Sequence, residues 1–429
     1  MLTTIDLIRR NKHRGFFHRM PILRRVAASV LASCLLSICL AAQDIAPPVP
    51  QKLTLHSNIL NEDRVVWIRT PQNYEKTKGP FPVLYLADGP SHINLVASTM
   101  DFLTLTLGDR IPPLVIVGIA NTDRTRDMTP SHADEKNPDG TVHADPTSGG
   151  ADHFVDFIQN ELMPEIERRY RVAPYKIFAG HSFGGLLAVH ILITRPNMFQ
   201  AYIAASPSLW WDNQSTLHQA QDFFAAHAEL NKRFFFDLGN EGPQMRHPFD
   251  ALQKTLTDKT SKNFHWKSAV YPDEDHGSSV LRGYYDGLRE VFFDWPVPTD
   301  QDGKIVGGLQ GLETHYRELS ARYGYEILPT ENTVNNLGYQ LIGDRKVAEA
   351  IIVFQRNVEL YPASANVYDS LGDGYEADDK LELAMKNVQK AVEVGTKIND
   401  PNLVAYKEHL KRLIAKASAA GKRNGPAAH

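Results

Sequence analysis

The segment 180–184, which reads Gly-His-Ser-Phe-Gly, constrains the fold of this chain more than any other. It follows a strand-like run at 175–179 and leads directly into a helix-like run at 185–194. A serine on a sharp turn between a strand and a helix is typical of a nucleophile elbow, where the flanking glycines avoid a clash in the tight bend. We therefore predict that Ser182 is a catalytic nucleophile. The alternative is a glycine-rich turn with an incidental serine.

The N-terminal residues 1–42 are predicted to form a secretory signal. The first 25 residues carry seven basic side chains and one acidic one, and an uncharged, largely apolar run follows at 26–42. This run is short for a membrane span. We expect cleavage after Ala41 or Ala42 and a periplasmic or secreted protein. Lipidation at Cys34 and an uncleaved anchor are the alternatives.

The charge and cysteine content of the mature chain exclude several classes of protein. Both cysteines, Cys34 and Cys39, lie in the predicted signal, so no disulfide framework or thiol chemistry is expected. Without residues 1–42, 39 basic and 49 acidic residues remain, a net charge of −10. Such an acidic chain is a poor ligand for nucleic acid or anionic lipid. We expect no nucleic-acid partner and no stable membrane insertion after signal cleavage.

Residues 56–298 alternate short β-rich runs with helix-like stretches. This alternation, together with runs that are almost wholly apolar, predicts an α/β domain with a mainly parallel sheet. We place a linker at 43–55 before this domain and a Pro- and Gly-containing linker at 299–312 after it. The strand-like runs are 64–69, 82–87, 113–120, 175–179, 201–205, 233–238 and 266–271.

Residues 313–429 have a helical pattern with an internal repeat. The pair Leu337-Gly338 recurs as Leu371-Gly372, an offset of 34 residues. This period resembles that of tetratricopeptide repeats, and a third helix at 403–413 is expected to cap the stack. Generic helical hairpins are the alternative. Because two repeats and a cap are marginally stable alone, we expect this region to pack on the α/β domain, a second subunit or a protein partner.

A serine nucleophile requires a base, and His276 is the best-placed histidine. It follows the last strand-like run and precedes a helix-like run at 281–293. The chain order of nucleophile, acid and histidine is that of an α/β-hydrolase. For the acid, we favour Glu241, which lies just beyond the run 233–238, over Asp237, which lies within it. Another loop acid, or no acid, is the further alternative. The acid would hold the imidazole tautomer and stabilise its protonated form. The alternative for His276 is an exposed loop histidine among acids.

Taken together, these motifs resemble those of the putative-esterase family of α/β-hydrolases, which includes siderophore esterases, esterase D, feruloyl esterases and mycolyltransferases. The Trp-Trp pair at 210–211 and the surroundings of Glu241 are most similar to the siderophore esterases. The resemblance implies an α/β-hydrolase fold and hydrolysis of a small-molecule ester without a cofactor, and it leaves the ester unidentified. The matching segments are 83–89, 121–127, 180–184, 206–211 and 276–278.

The oxyanion hole of such an enzyme needs two backbone N–H donors. One is expected from Phe183, the residue after the nucleophile, and the other from the loop that follows Asp88. Pro90 has no N–H to donate. The second donor is therefore Gly89, Ser91 or a side chain.

Substrate contacts are expected from the polar segment 121–150 and from the tryptophan pair. Arg124 and Arg126 could bind a substrate carboxylate, with an internal pair to Asp127 as the alternative. Trp210 and Trp211 could line the cleft or only pack. The segment also contains acids and histidines without regular ligand spacing, so we expect no metal site there. These residues are His132, Asp134, Glu135, His143 and Asp145.

The sequence thus predicts a secreted or periplasmic serine esterase. Two alternatives from other classes remain open. The first is acyl transfer by the same triad to an acceptor alcohol. The second is a catalytically inactive hydrolase fold that serves as an interaction module.

Overall fold

The computed structural model describes residues 48–423 apart from 73, 76, 78, 107, 137–141, 144 and 262, so the predicted signal lies outside the described residues. Eight strands form one sheet, and two short strands form a separate hairpin. In chain order the strands are β1 Gln51–Ser57, β2 Glu62–Arg69, β3 Phe81–Leu86, β4 Val115–Ile119, β5 Glu135–Lys136, β6 Val142–His143, β7 Val172–His181, β8 Ala201–Ala205, β9 Arg233–Leu238 and β10 His265–Val270.

Helices follow most strands and make up the whole C-terminal region. They are α1 Gly89–Asp101, α2 Arg124–Met128, α3 Ala151–Phe157, α4 Met163–Arg169, α5 Phe183–Thr194, α6 Trp211–Ala226, α7 Pro243–Lys259, α8 Ser279–Val291, α9 Gly308–Tyr323, α10 Glu331–Gly343, α11 Val347–Leu360, α12 Ala365–Ala377, α13 Leu381–Ile398 and α14 Leu403–Arg423. Within the described part of the chain, none of these helices has the length and apolar character needed to span a bilayer.

The large sheet has the order β1-β2-β4-β3-β7-β8-β9-β10. Its strands are parallel except at one edge, where β2 runs antiparallel to both β1 and β4. The prediction of an α/β fold with a mainly parallel sheet is confirmed. Strand β1 lies partly in the segment 43–55 for which the sequence predicted a linker. Its residues are mostly exposed or half-buried, so it lacks the apolar run that identified the central strands.

Two apolar cores cover the opposite faces of the sheet. Val83 and Tyr85 of β3 belong to one core, and Leu84 and Leu86 belong to the other. Successive side chains of a strand point to opposite faces, which explains why these central strands are apolar throughout. The second core also contains buried residues of α9, α10 and α11. The apolar interior therefore continues across the segment 299–312 into the helical region.

The helical region repeats one close helix–helix contact. A Cβ atom on Gly338 would lie 2.3 Å from Phe354, and one on Gly372 would lie 2.4 Å from Val388. Both members of this pair recur after 34 residues. Only glycine lets the paired helices approach so closely. The contact fits the period seen in the sequence, and the assignment to tetratricopeptide repeats stays a prediction.

Tyr323, at the end of α9, connects the helical region to the sheet. Its side chain is buried, and its ring centroid lies 4.7 Å from that of Tyr175 on β7. Its hydroxyl donates to Asp294 Oδ1 at 2.8 Å and accepts a hydrogen bond from Arg233 Nη1 at 2.8 Å. Arg233 in turn pairs with Asp294 at 2.7 Å. This single side chain therefore joins an apolar core to a partly buried ion pair.

We expect Tyr323→Ala to lower the free energy of unfolding by about 3–5 kcal/mol, because it opens a large cavity in the shared core. Tyr323→Phe should cost about 1–3 kcal/mol, since a buried hydrogen-bonding site loses its partner. Leu328→Ala is the control: Leu328 is 49% exposed in the same region, and its loss should stay within about 0.5 kcal/mol. Urea denaturation measures all three. Equal effects of the two alanine variants would contradict a shared core.

Candidate active site

Ser182 lies on the sharp turn between β7 and α5. Its backbone angles, φ 62° and ψ −116°, are strained for a residue with a Cβ atom. A Cβ atom on Gly180 would lie 2.4 Å from the backbone of Gly184, so this bend requires glycine. The turn therefore has the geometry of the nucleophile elbow that the sequence predicted.

His276 and Glu241 come from the loops after β10 and β9 and meet beside the elbow. His276 Nδ1 lies 2.7 Å from Glu241 Oε2. The carboxylate also accepts hydrogen bonds at Oε1 from the hydroxyl of Ser206 at 2.7 Å and from the N–H of Gly239 at 3.1 Å. Both carboxylate oxygens are thus fixed, and Nδ1 of the imidazole is held as a donor. This leaves Nε2 available to accept a proton.

The surroundings of Glu241 favour its ionised form. Burial raises the pKa of this carboxyl group, but hydrogen bonds from His276 and Ser206 outweigh burial and hold the pKa below its ordinary value. Glu241 is therefore a carboxylate at neutral pH. A carboxylate in this position stabilises the imidazolium that forms when His276 takes up a proton.

The Ser182 hydroxyl lies 3.2 Å from the hydroxyl of Ser208. Among the described residues, no hydrogen bond joins Ser182 Oγ to His276. Such bonds are often long without substrate and shorten only in the reacting complex. In this structure the hydrogen-bond partner of the Ser182 hydroxyl is therefore Ser208.

His181, next to the nucleophile, holds the His276 loop. Its Nε2 donates to the backbone oxygen of His276 at 2.7 Å, and the two ring centroids are 4.6 Å apart. Burial, reinforced by the nearby His276, lowers the pKa of His181 to about 4, so the ring is neutral at pH 7. The sequence analysis gave His181 no role. A contact between residues 95 positions apart has no local signal in the sequence.

Asp237, the alternative acid, occupies a different environment. It is fully buried, and neither carboxyl oxygen has a hydrogen-bond partner among the described residues. A Cβ atom on Gly283 would lie 2.3 Å from its Oδ2, so α8 packs directly against it. Burial raises the pKa of Asp237 well above its ordinary value of 3.8, and the charge of Glu241 adds to this shift. Burial without a hydrogen-bond partner therefore favours the neutral form of Asp237.

Asp88 and Arg124 form an ion pair beside the start of α1. Arg124 Nε and Nη2 donate to the two oxygens of Asp88 at 2.8 and 3.0 Å, and Asn121 also donates to this carboxylate. Burial raises the pKa of Asp88, but the hydrogen bonds from Arg124 and Asn121 lower it below its ordinary value. Arg124 remains partly exposed, at 35%. Nη1 of Arg124 has no hydrogen-bond partner among the described residues and can still reach a ligand.

Gly89 is the better-placed candidate for the second oxyanion donor. The N–H of Ser91 donates to the backbone oxygen of Asp88 at 3.0 Å and is therefore occupied. Gly89 lies against the backbone of Gly118 on β4, where a Cβ atom would approach to 2.2 Å. Because of this close approach, only glycine fits at position 89. Phe183 and Gly89 remain the expected pair of donors.

Arg126 belongs to an internal network of ion pairs. It donates from Nη2 to Glu62 at 2.7 Å and from Nε to Asp127 at 2.8 Å, and buried Arg64 binds the same two acids. Burial of Glu62 and Asp127 beside two arginines explains this arrangement. The internal pairing, which the sequence analysis kept as an alternative, is what the structure contains. We do not assign Arg126 to the substrate.

The two tryptophans have different positions. Trp211 is 1% exposed, and its indole N–H donates to the backbone oxygen of Ser131 at 3.1 Å. It therefore packs rather than lining the cleft. Trp210 is half-buried, lies 6.1 Å from Phe183 between ring centroids, and borders a polar cleft of about 580 Å³. The other side chains of this cleft include His132, Asp134, Asp212, Asn213 and His247.

The polar segment 121–150 is described only in part. His132 Nδ1 lies 3.1 Å from the hydroxyl of Ser148, and Asp134 accepts a hydrogen bond from the N–H of Asp145 at 3.3 Å. These contacts are those of a hydrogen-bonded loop. The side chains of Glu135 and His143 lie outside the described residues.

A family model described as "Putative esterase" matches residues 57–280. The chain is 28% identical over 293 residues to the siderophore triacetylfusarinine C esterase of Aspergillus fumigatus, which covers 58% of this chain and 96% of that protein. It is 36% identical over 191 residues to the ferri-bacillibactin esterase BesA of Bacillus subtilis, which covers 40% of this chain and 63% of that protein.

Among solved structures, the fold is similar to that of an IroE-like serine hydrolase from Shewanella oneidensis. The TM-score is 0.63 at 30% identity, and the match covers 73% of this chain and all of that chain. The elbow, the paired histidine and carboxylate, and the sheet order therefore occur in a chain that is similar to known serine hydrolases.

We expect Glu241→Gln to lower kcat by about 10²–10⁴-fold without unfolding the protein, because the amide favours the wrong imidazole tautomer. Asp237→Asn is the matched control. The amide resembles the neutral acid in shape, so kcat should stay within about tenfold of wild type. Hydrolysis of p-nitrophenyl acetate measures both. A larger loss in Asp237→Asn than in Glu241→Gln would move the orienting role to Asp237.

The raised pKa of Asp237 also predicts how stability depends on pH. An acid whose pKa is raised by folding stabilises the fold fully below its unfolded value, and this contribution is lost as pH rises toward the folded value. We expect Asp237→Asn to gain stability relative to wild type between pH 5 and pH 8, by at most about 1.4 kcal/mol per pH unit. Urea denaturation at both pH values tests this. A stability difference that does not grow with pH would mean that Asp237 is ionised in the fold.

Proposed function

Because this chain belongs to the putative esterase family, we propose that it hydrolyses carboxylic esters through a covalent acyl-enzyme on Ser182. His276 is the general base, and Glu241 orients it. The observation that carries this proposal is the 2.7 Å contact between His276 Nδ1 and Glu241 Oε2 beside the strained elbow. A nucleophile, a base and an orienting carboxylate in this order form a catalytic triad.

The reaction proceeds in two halves. Ser182 Oγ attacks the ester carbonyl carbon while His276 Nε2 takes its proton, and the oxyanion accepts hydrogen bonds from the backbone N–H groups of Phe183 and Gly89. Collapse of the tetrahedral intermediate transfers the proton to the leaving alkoxide and releases the alcohol. Water, activated by His276, then attacks the acyl-enzyme and releases the acid.

We propose that the substrate is an ester of a siderophore. The support comes from the relatives, since two that match the chain are named as esterases of triacetylfusarinine C and ferri-bacillibactin. A polar cleft of about 580 Å³ borders Trp210, whose ring centroid lies 6.1 Å from that of Phe183, the residue after Ser182. Such a cleft suits a ligand that combines aromatic or apolar parts with many oxygen atoms. Arg124 Nη1 is the proposed contact for an anionic part of this ligand.

We also propose that the protein acts in the periplasm or outside the cell. The support is the basic and then apolar sequence of residues 1–42, which is typical of a secretory signal. An enzyme there would meet an iron-chelating ester on the outer side of the inner membrane.

We expect Ser182→Ala to lower kcat for p-nitrophenyl acetate and for a ferric triester siderophore by at least about 10⁴-fold, since the acyl-enzyme can no longer form. His276→Ala should fall nearly as far, and the double variant no further, because the two residues act as a unit. Ser215→Ala, a change at a serine in α6, serves as the matched control and should keep wild-type activity.

Two results would contradict the proposal at different levels. Residual activity of Ser182→Ala above about one hundredth of wild type would exclude the acyl-enzyme on Ser182. Normal hydrolysis of p-nitrophenyl acetate with no cleavage of siderophore esters would keep the mechanism and exclude the substrate class. Transfer of the acyl group to added alcohol in preference to water would identify an acyltransferase.

A further inference from the structure

A cluster of one histidine and three acids lies between the last two helical layers, far along the chain from Ser182. Asp369, Asp373 and Glu376 lie on α12 at spacings of four and three residues, so they share one face of this helix. His409 lies on α14 and faces them. The sequence analysis considered metal ligands in the segment 121–150 and gave these four residues no role.

One ring nitrogen of His409 has a hydrogen-bond partner, and the other has none among the described residues. Nδ1 lies 2.8 Å from Asp369 Oδ1, and the side chain is 9% exposed. Nε2 is buried and has no hydrogen-bond partner within the described part of the chain. It points between two carboxylates, 3.5 Å from Asp373 Oδ1 and 3.5 Å from Glu376 Oε2.

The opposite oxygens of these two carboxylates are already held. The hydroxyl of Tyr339 donates to Asp373 Oδ2 at 2.8 Å. Arg412 Nη1 and Lys416 Nζ donate to Glu376 Oε1 at 2.8 and 3.3 Å. Each carboxylate is therefore fixed by one oxygen and turns the other toward His409 Nε2.

His409 Nε2 lies 3.5 Å from each of these two carboxylate oxygens, which is close to the spacing of two ligands on one metal ion. Imidazole nitrogen and carboxylate oxygen bind Zn²⁺ at about 2.0–2.2 Å, so two ligands of a tetrahedral ion lie about 3.4 Å apart. A second set of ligand atoms in the same cluster, from Asp369, Asp373 and His409, lies within 4.8 Å of one another. We propose that His409 Nε2, Asp373 Oδ1 and Glu376 Oε2 bind a divalent transition-metal ion of the Zn²⁺ class.

The hydrogen-bonded surroundings support this assignment over a chance group of acids. A histidine that binds a metal through Nε2 commonly donates its Nδ1–H to a carboxylate, as His409 does to Asp369. One nitrogen and two carboxylate oxygens suit Zn²⁺ better than Ca²⁺ or Mg²⁺, which prefer oxygen alone. Three protein ligands leave the fourth position to water. Because the ligands come from α12 and α14, the ion fastens the C-terminal helix to α12, the second helix before it.

The test is calorimetric titration of the untagged, EDTA-treated full chain with Zn²⁺ alone. We expect one ion per chain, a rise in Tm that EDTA reverses, and no comparable response to Mg²⁺. Co²⁺ should give the visible absorption of a tetrahedral site. His409→Gln and the isosteric Asp373→Asn should abolish binding, whereas Asp369→Asn should weaken it about 10–100-fold. Esterase activity should stay near wild type in all three variants.

The control is His56→Gln, which removes an exposed histidine that also contacts one carboxylate, Asp63, at 2.8 Å. It should leave Zn²⁺ binding unchanged. Absence of binding to the wild type would overturn the proposal, since the acids would then pair only with a protonated His409. Equal Zn²⁺ affinity in the wild type and in Asp373→Asn would also overturn it. If His409→Gln fails to fold, the Co²⁺ absorption of the wild type tests the site instead.

Discussion

The active site depends on a hydrogen-bond ladder that continues past the ends of the parallel strands. The N–H of Ser182 donates to the backbone oxygen of Ala205 at 3.0 Å, and the N–H of Ser206 donates to that of Asp237 at 3.1 Å. These bonds carry the pairing of β7 with β8, and of β8 with β9, one residue past the ends of β7 and β8. They hold Ser182, Ser206 and the strand that leads to Glu241 together at the carboxyl ends of the parallel strands. The strain at Ser182 is maintained by this ladder and by the packing of Gly180 on Gly184.

The helical region packs against the opposite end of the same sheet. Tyr175 at the start of β7 contacts Tyr323, while Ser182 follows the last residue of that strand. One central strand thus connects the shared core to the nucleophile. The helical region therefore contributes to the stability of the sheet although the proposed triad lies entirely outside it.

Local signals in the sequence predicted the central strands, the elbow, and the meeting of His276 with Glu241, because each depends on a run of apolar residues or on a loop that follows a strand. Other features have no such signal. The roles of His181 and Ser206 arise from contacts across 95 and 35 positions. Arg126 and Arg124 look alike in sequence, yet Glu62 on a distant strand binds Arg126, whereas Arg124 pairs with Asp88. The burial of Trp211 but not of Trp210 is likewise decided by packing.

Three carboxyl groups near the nucleophile show how the fold controls charge where an oxyanion must form. Glu241 stays ionised, and its charge faces His276, where a positive charge develops during the reaction. Asp88 stays ionised beside the expected oxyanion hole, and the guanidinium of Arg124 offsets its charge. Asp237 has no such partner among the described residues, and burial favours its neutral form. Each carboxyl is thus paired or protonated, so no uncompensated negative charge of these groups opposes the oxyanion on the substrate. In the proposed mechanism, the ion pair of Asp88 with Arg124 therefore serves the chemistry as well as the fold.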